Sequence, residues 1–99
     1  MRIITLNANG IRSAARKGFF DWLEVQDAEV VCVQETKAQV DQLADPVFRP
    51  QGYHCYYRDA EKKGYSGVAL YSRIEPQAVV TGFGSREFDA EGRYVEARF

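Results

Sequence analysis

"AEVVCVQETK", residues 28–37, sets an apolar run directly against a charged end. Val30, Val31, Cys32 and Val33 form a short β-branched stretch of the kind that fills a strand buried on both faces. The next four residues are Gln34, Glu35, Thr36 and Lys37, so a carboxylate and an ammonium close the strand at its carboxyl tip. Upstream, "RIITL" (2–6) reads as a first strand that breaks at "NANG" into a polar loop. Between the two, Ala15, Phe19, Trp22, Leu23 and Gln26 recur at helical spacing. They predict one amphipathic helix over 16–26 whose aromatic stripe packs on a sheet. Strand, helix, strand over so few residues is a crossover unit, with the two strands parallel.

Downstream of residue 37 the pattern changes. Residues 38–50 are mostly polar, carry Pro46 and Pro50, and predict a short helix and irregular loop. "YHCYYR" (53–58), "GVALYS" (67–72), "AVVTGF" (78–83) and "RYVEARF" (93–99) read as further strands, and "DAEKKGYSG" as a charged turn. Six strands against one clear helix leave a sheet face with nothing to cover it. That imbalance reads as part of a larger α/β protein, and a bare face predicts dimerisation or poor solubility.

Composition narrows the function classes. The chain has 99 residues, 45% apolar and 27% charged, with a net charge of −1. Bulk positive charge therefore cannot drive nucleic-acid binding; a local patch must supply it. Cys32 and Cys55 form no CxxC pair and read as buried reduced thiols, which predicts a reducing compartment such as the cytoplasm. His54 lies inside a strand and reads as a half-buried strand residue. The amino terminus lacks a signal-peptide pattern, and no stretch is long enough to cross a membrane, so no membrane partner is expected.

Chemistry is expected beyond the carboxyl ends of parallel strands. That rule brings Asn7, Asn9 and Glu35 to one rim. A carboxylate with amide oxygens is a hard donor set suited to Mg²⁺ or Mn²⁺, and Mg²⁺ needs only one or two carboxylates beside waters and a substrate phosphate. Equally open is that Glu35 pairs with Lys37 or Arg12 at a wet strand end, while Asn7 and Asn9 serve a turn with Gly10. Arg12, Arg16 and Lys17 in one loop, and Arg58, Lys62 and Lys63 beside Tyr65 in another, suit a phosphate backbone with a stacked base or sugar.

In order, "LNANGIRS", "VVCVQETK", "GYSGVALYS" and "EGRYVEARF" resemble the exonuclease III branch of the endonuclease/exonuclease/phosphatase superfamily, the repair nucleases that act at abasic sites. The resemblance runs from Met1 to Phe99. It implies the amino-terminal portion (1–99) of a four-layer α/β sandwich of two facing sheets, the remainder of the catalytic domain being absent. It also implies a Mg²⁺-dependent DNA repair phosphodiesterase, both abasic-site endonuclease and 3′–5′ exonuclease, acting on double-stranded DNA. Position by position it implies Glu35 as metal ligand and catalytic group, Asn7 in the catalytic network and Asn9 beside the metal. Arg12, Lys37, Tyr65 and Gly67 fall on the DNA-facing rim. Arg93 falls where the family has a structurally placed arginine, with no catalytic role.

The family's active-site tyrosine, Asp-x-Asn motif and closing Asp-His pair have no counterparts among these residues. The 99 residues by themselves are therefore expected to be inactive. The bare sheet face would meet the missing carboxyl-terminal part or a second copy. Two other readings stand beside this one: a non-catalytic nucleic-acid-binding or regulatory member of the same fold, and a phosphomonoesterase for a small molecule.

Overall fold

The computed structural model describes all 99 residues. In chain order the elements are β1 (Ile3–Asn7), α1 (Ile11–Arg16), α2 (Phe19–Glu24), β2 (Val30–Gln34), β3 (His54–Arg58), β4 (Val68–Ser72), β5 (Ala78–Val80), α3 (Arg86–Ala90) and β6 (Glu96–Arg98). Two short 3-10 turns, Val40–Leu43 and Pro46–Phe48, bridge β2 and β3. Four strands form one mixed sheet in the order β1-β2-β4-β3, and β5 pairs with β6 in a separate two-stranded sheet.

β1 and β2 are parallel, Ile3 opposite Val30 and Asn7 opposite Gln34, as the crossover pattern requires. β4 runs antiparallel to both β2 and β3. Period-two alternation then divides the side chains. Val31 and Val33 of β2, Ala69 and Tyr71 of β4, and Ile11, Phe20 and Leu23 from α1 and α2 form the core, with Ile4, Leu6, Cys55 and Tyr57 packed against it. Tyr71 is fully buried, and its ring meets those of Phe20 and Tyr57 edge-on at 5.8 and 5.7 Å. The Tyr57 and Tyr71 hydroxyls bond each other at 2.6 Å, so the deepest phenol is satisfied. The opposite face is open over β1, where Ile3 is 61% exposed, and shielded over β4, where Leu70 and Ser72 are buried.

Several sequence expectations change. The helix expected over 16–26 shortens to α2, and α1 precedes it in the stretch read as a loop, with Gly18 at φ +93° turning the chain between the two. That break leaves Phe20 and Leu23 buried but Trp22 40% exposed, so the aromatic stripe only partly packs on the sheet. The fifth and sixth strands shrink to Ala78–Val80 and Glu96–Arg98. Between them lies the unforeseen α3, opened by Ser85, whose hydroxyl accepts from the Phe88 N–H. Its carboxyl end docks on the end of β3 and the loop that follows: Glu61 N–H donates to the Ala90 carbonyl at 2.9 Å, and Arg58 Nη2 to that of Asp89 at 3.2 Å. Cys32 and Cys55 are free and only half-buried, Cys32 because it points to the open face with Thr5. His54, which begins β3 on that same face, is exposed.

Candidate active-site rim

The strand ends are joined by more than their ladders. Ala8 and Gly10 N–H donate to the carbonyls of Gln34 and Glu35, and Ile11 N–H to that of Thr36, each at 2.9 Å. From the other side Thr36 N–H donates to the Gly67 carbonyl at 3.1 Å and Lys37 N–H to that of Ser66 at 2.7 Å. Three loops, 7–11, 34–37 and 66–67, are thereby locked into one rim. Five non-glycine residues have positive φ, and four of them lie here: Asn9 (46°), Glu35 (56°), Lys37 (52°) and Ser66 (47°). Each left-handed residue costs roughly 1–2 kcal/mol, a strain that the backbone bonds across the rim must hold.

This conformation answers the juxtaposition of charges in "QETK". Glu35 and Lys37 are both left-handed, with Thr36 buried between them, so the two charged side chains emerge together while the threonine points inward. Lys37 Nζ lies 3.5 Å from Glu35 Oε1 and donates to Asn9 Oδ1 at 2.6 Å. Asn7 Nδ2 donates to Glu35 Oε2, and Asn7 Oδ1 accepts the Asn9 N–H at 2.9 Å. Asn7, Asn9, Glu35 and Lys37 thus form one bonded cluster, and both residue readings hold at once: Glu35 pairs with Lys37, and Asn7 closes a turn through its own backbone. The Asn7 amide bond holds the Glu35 carboxyl below the ordinary glutamate range; partial desolvation opposes it, and the Lys37 and Arg93 charges add to the lowering. Glu35 is therefore an anion at neutral pH.

Arg12 reaches the cluster through its Nη2, 3.4 Å from the Lys37 carbonyl. With Gly10, Ser13, Arg16, Lys37 and Gly64 it lines a wholly polar groove of about 420 Å³. A second cleft of about 400 Å³ is lined by Glu35, Lys37, Gly64, Tyr65, Ser66 and Arg93. Tyr65 is 37% exposed at its edge; its hydroxyl accepts from Arg93 Nη2 at 2.7 Å, and its ring lies 5.4 Å from the Arg93 guanidinium and 5.5 Å from Lys62 Nζ. Gly67 takes a different part from its neighbours. At φ +86° it tucks under the rim, where a Cβ would fall 2.2 Å from Thr36 Oγ1. Of the residues singled out in the sequence, Asn7, Asn9, Arg12, Glu35, Lys37 and Tyr65 converge on the rim, and Gly67 shapes it from beneath.

Thr36 carries no signal in the sequence, although its backbone holds the rim; the turn in "DAEKKGYSG" is legible there, but not that the Ser66 carbonyl accepts the Lys37 N–H. Arg93 was assigned no chemistry, yet its guanidinium enters the Glu35 cleft.

The rim suits a divalent cation. Its acceptors are hard oxygens, the carboxylate is ionised and 41% exposed, and the oxygens of Asn9 and Glu35 already hold the Lys37 ammonium, whose place a cation would take. No cluster of three or more His, Cys, Asp or Glu side chains occurs anywhere in the chain, so a cation here would rely on one carboxylate and complete its shell with water and phosphate.

A model of the endonuclease/exonuclease/phosphatase family matches residues 4–99. Along its whole length the chain is 43% identical to an exodeoxyribonuclease of Bacillus subtilis, covering 38% of that protein. It is 40% identical to the DNA repair nuclease APEX1 of Danio rerio, covering 33% of it. Among solved structures, an AP endonuclease from Archaeoglobus fulgidus superimposes with a TM-score of 0.80 at 34% identity, over 95% of this chain and 35% of that one. A 3′–5′ exonuclease from Neisseria meningitidis superimposes at 0.82 and 28% identity, over 98% and 37%. The chain thus spans between a third and two-fifths of the length of these relatives.

Proposed function

Since this chain belongs to the endonuclease/exonuclease/phosphatase family, we propose that its rim is the metal- and phosphate-handling part of a DNA repair nuclease. The substrate is double-stranded DNA, cut 5′ to an abasic site or trimmed from 3′ ends. One observation carries the reading: an ionised glutamate, Glu35, lines a cleft with Lys37 and Arg93, and Lys37 is shared with the neighbouring groove walled by Arg12 and Arg16. An anionic substrate of repeating phosphates fits those walls, and a carboxylate set among these cations has no use in a purely electrostatic binding surface.

Glu35 and the side-chain oxygens of Asn7 and Asn9 would hold Mg²⁺ or Mn²⁺. Such an ion, when bound, neutralises charge developing on a scissile phosphate and its leaving oxygen. The chain's own residues do the rest of what falls to this part of the site. Asn7 aims the Glu35 carboxylate and keeps it ionised. Lys37 and Arg12 balance the phosphate charge. Arg93 holds Tyr65 by its hydroxyl and ring, so that the phenol projects rigidly at the cleft edge. Backbone contacts of this type read shape and deformability rather than base sequence. The base that activates the attacking water lies outside these residues. A cytoplasmic location belongs to the same proposal, supported by two free thiols.

The test is cleavage of an abasic duplex with Mg²⁺ by the full-length protein and its Glu35→Gln variant. The rate should drop by at least about 100-fold, the scale of losing one preorganised electrostatic group, while duplex affinity changes little. The 99-residue chain alone should give no EDTA-sensitive turnover. A variant cleaving at the parent rate would overturn the assignment.

A further inference from the structure

Behind the Asn9 loop lies a third groove, of about 390 Å³, walled by Asn9, Ser13, Lys17, Phe19 and Trp22, with Gly18 among its lining. It is continuous with the rim on two sides. Asn9 belongs to the bonded cluster around Glu35. Ser13 also lines the basic groove of Arg12, Arg16 and Lys37. The break at Gly18 is what opens it, leaving Trp22 40% exposed while Phe20 and Leu23 of the same helix are buried. Phe19 backs the indole at 5.9 Å between ring centroids, tilted by 33°, and Lys17 supplies a solvent-exposed cation in the same groove. A half-free aromatic plane, a cation and small neighbours are what one nucleotide requires: a face for the base and a charge for its phosphate.

We infer that this groove receives an unpaired nucleotide of the strand bound at the rim, its base on Trp22 and its phosphate on Lys17. The inference rests on the nucleic-acid reading above and narrows it. Bases inside a duplex are stacked on their neighbours and have no face to offer, so the groove favours DNA with a frayed, gapped or single-stranded segment beside the rim. The occupant is therefore a flank of the same strand. A separate apolar peptide would need no cation and no continuity with the phosphate-lined groove.

Trp22 is the only tryptophan among these 99 residues, so the tryptophan fluorescence of this chain reports that side chain alone. The experiment titrates the chain with an oligothymidylate and with a blunt duplex of equal length. Fluorescence is read alongside the anisotropy of end-labelled DNA, which senses binding wherever it occurs. The oligothymidylate should quench Trp22 and the blunt duplex should not. Trp22→Leu should weaken the single strand about tenfold, within the range of losing one base–aromatic stack. Lys17→Ala, at an exposed position away from the core, should weaken it too. It should also flatten the plot of log affinity against log salt by about 0.7, the signature of one single-strand phosphate contact. If the single strand binds by anisotropy while Trp22 is unquenched and both variants bind like the parent, the inference fails and the nucleic-acid reading stands. If neither DNA binds, both fall.

Discussion

Replacing Gly67 by alanine should damage the rim more than any exposed charge reversal would. Two costs add. At φ +86° an L-residue gives up roughly 1–2 kcal/mol relative to its ordinary backbone regions. The new methyl would also stand 2.2 Å from Thr36 Oγ1, and Thr36 is 2% exposed, with little room to rotate away. Overpacking of that kind costs about 1–3 kcal/mol. Together they give roughly 3 kcal/mol, a fall in melting temperature of at least about 12 °C for a domain of this size. The assay is a thermal melt followed by circular dichroism for four proteins: parent, Gly67→Ala, Thr36→Ala and the double variant. Removing the Thr36 side chain relieves the clash but not the backbone cost, so Gly67→Ala in that background should cost only about 1–2 kcal/mol. The coupling between the two sites should exceed about 1 kcal/mol. Strict additivity, within about 0.5 kcal/mol, or a Gly67→Ala melt within about 3 °C of the parent, would refute the packing argument. It would also undercut the part given to Gly67 in shaping the rim from beneath.

Two further outcomes follow from the electrostatics. Because the Asn7 amide is the chief cause of Glu35's lowered pKa, the stability gained from that bond is fully present above the ordinary glutamate pKa of about 4.3. It is lost as pH falls through the lower folded-state value. A carbon-13 titration of the Glu35 carboxyl should therefore show a midpoint below the ordinary glutamate range, and Asn7→Ala should move it upward; an unmoved midpoint would leave the cause elsewhere. Burial pushes the Cys55 thiol up to about 11, so at pH 8 its thiolate is scarce, and labelling by a disulfide reagent should be far slower than for an unfolded control. Equal rates would place Cys55 in solvent.

Much of the architecture could be read from residue order because the deciding signals are local. The β-branched runs Ile3–Thr5 and Val30–Val33 could hardly be anything but strands, and the short span between them forces a parallel crossover. Spacing alone placed Asn7, Asn9 and Glu35 at one end of that pair. The helix break escaped because glycine is tolerated inside helices, and only the φ of Gly18 distinguishes a tolerated one from a turning one. Trp22 followed the apolar period, but periodicity does not reveal how far a side chain is covered once the helix is divided. The left-handed pair Glu35 and Lys37 leaves no compositional mark at all, since both residue types are at home in ordinary loops; the bonds that impose it come from Gly10, Ile11, Ser66 and Gly67, distant in sequence. α3 is about one and a half turns long, too short to establish a period against its aromatic neighbours.

The most direct trial of the central assignment is Mn²⁺ binding to the 99-residue chain, followed by loss of the free-ion paramagnetic resonance signal at neutral pH. One ion should bind per chain, and Glu35→Gln should weaken it at least about tenfold, as expected when a metal site loses a ligand or its support. If the glutamine variant takes up Mn²⁺ as readily as the parent, or the parent takes up none, the carboxylate at the tip of β2 is not a metal ligand and the rim is only an ion pair.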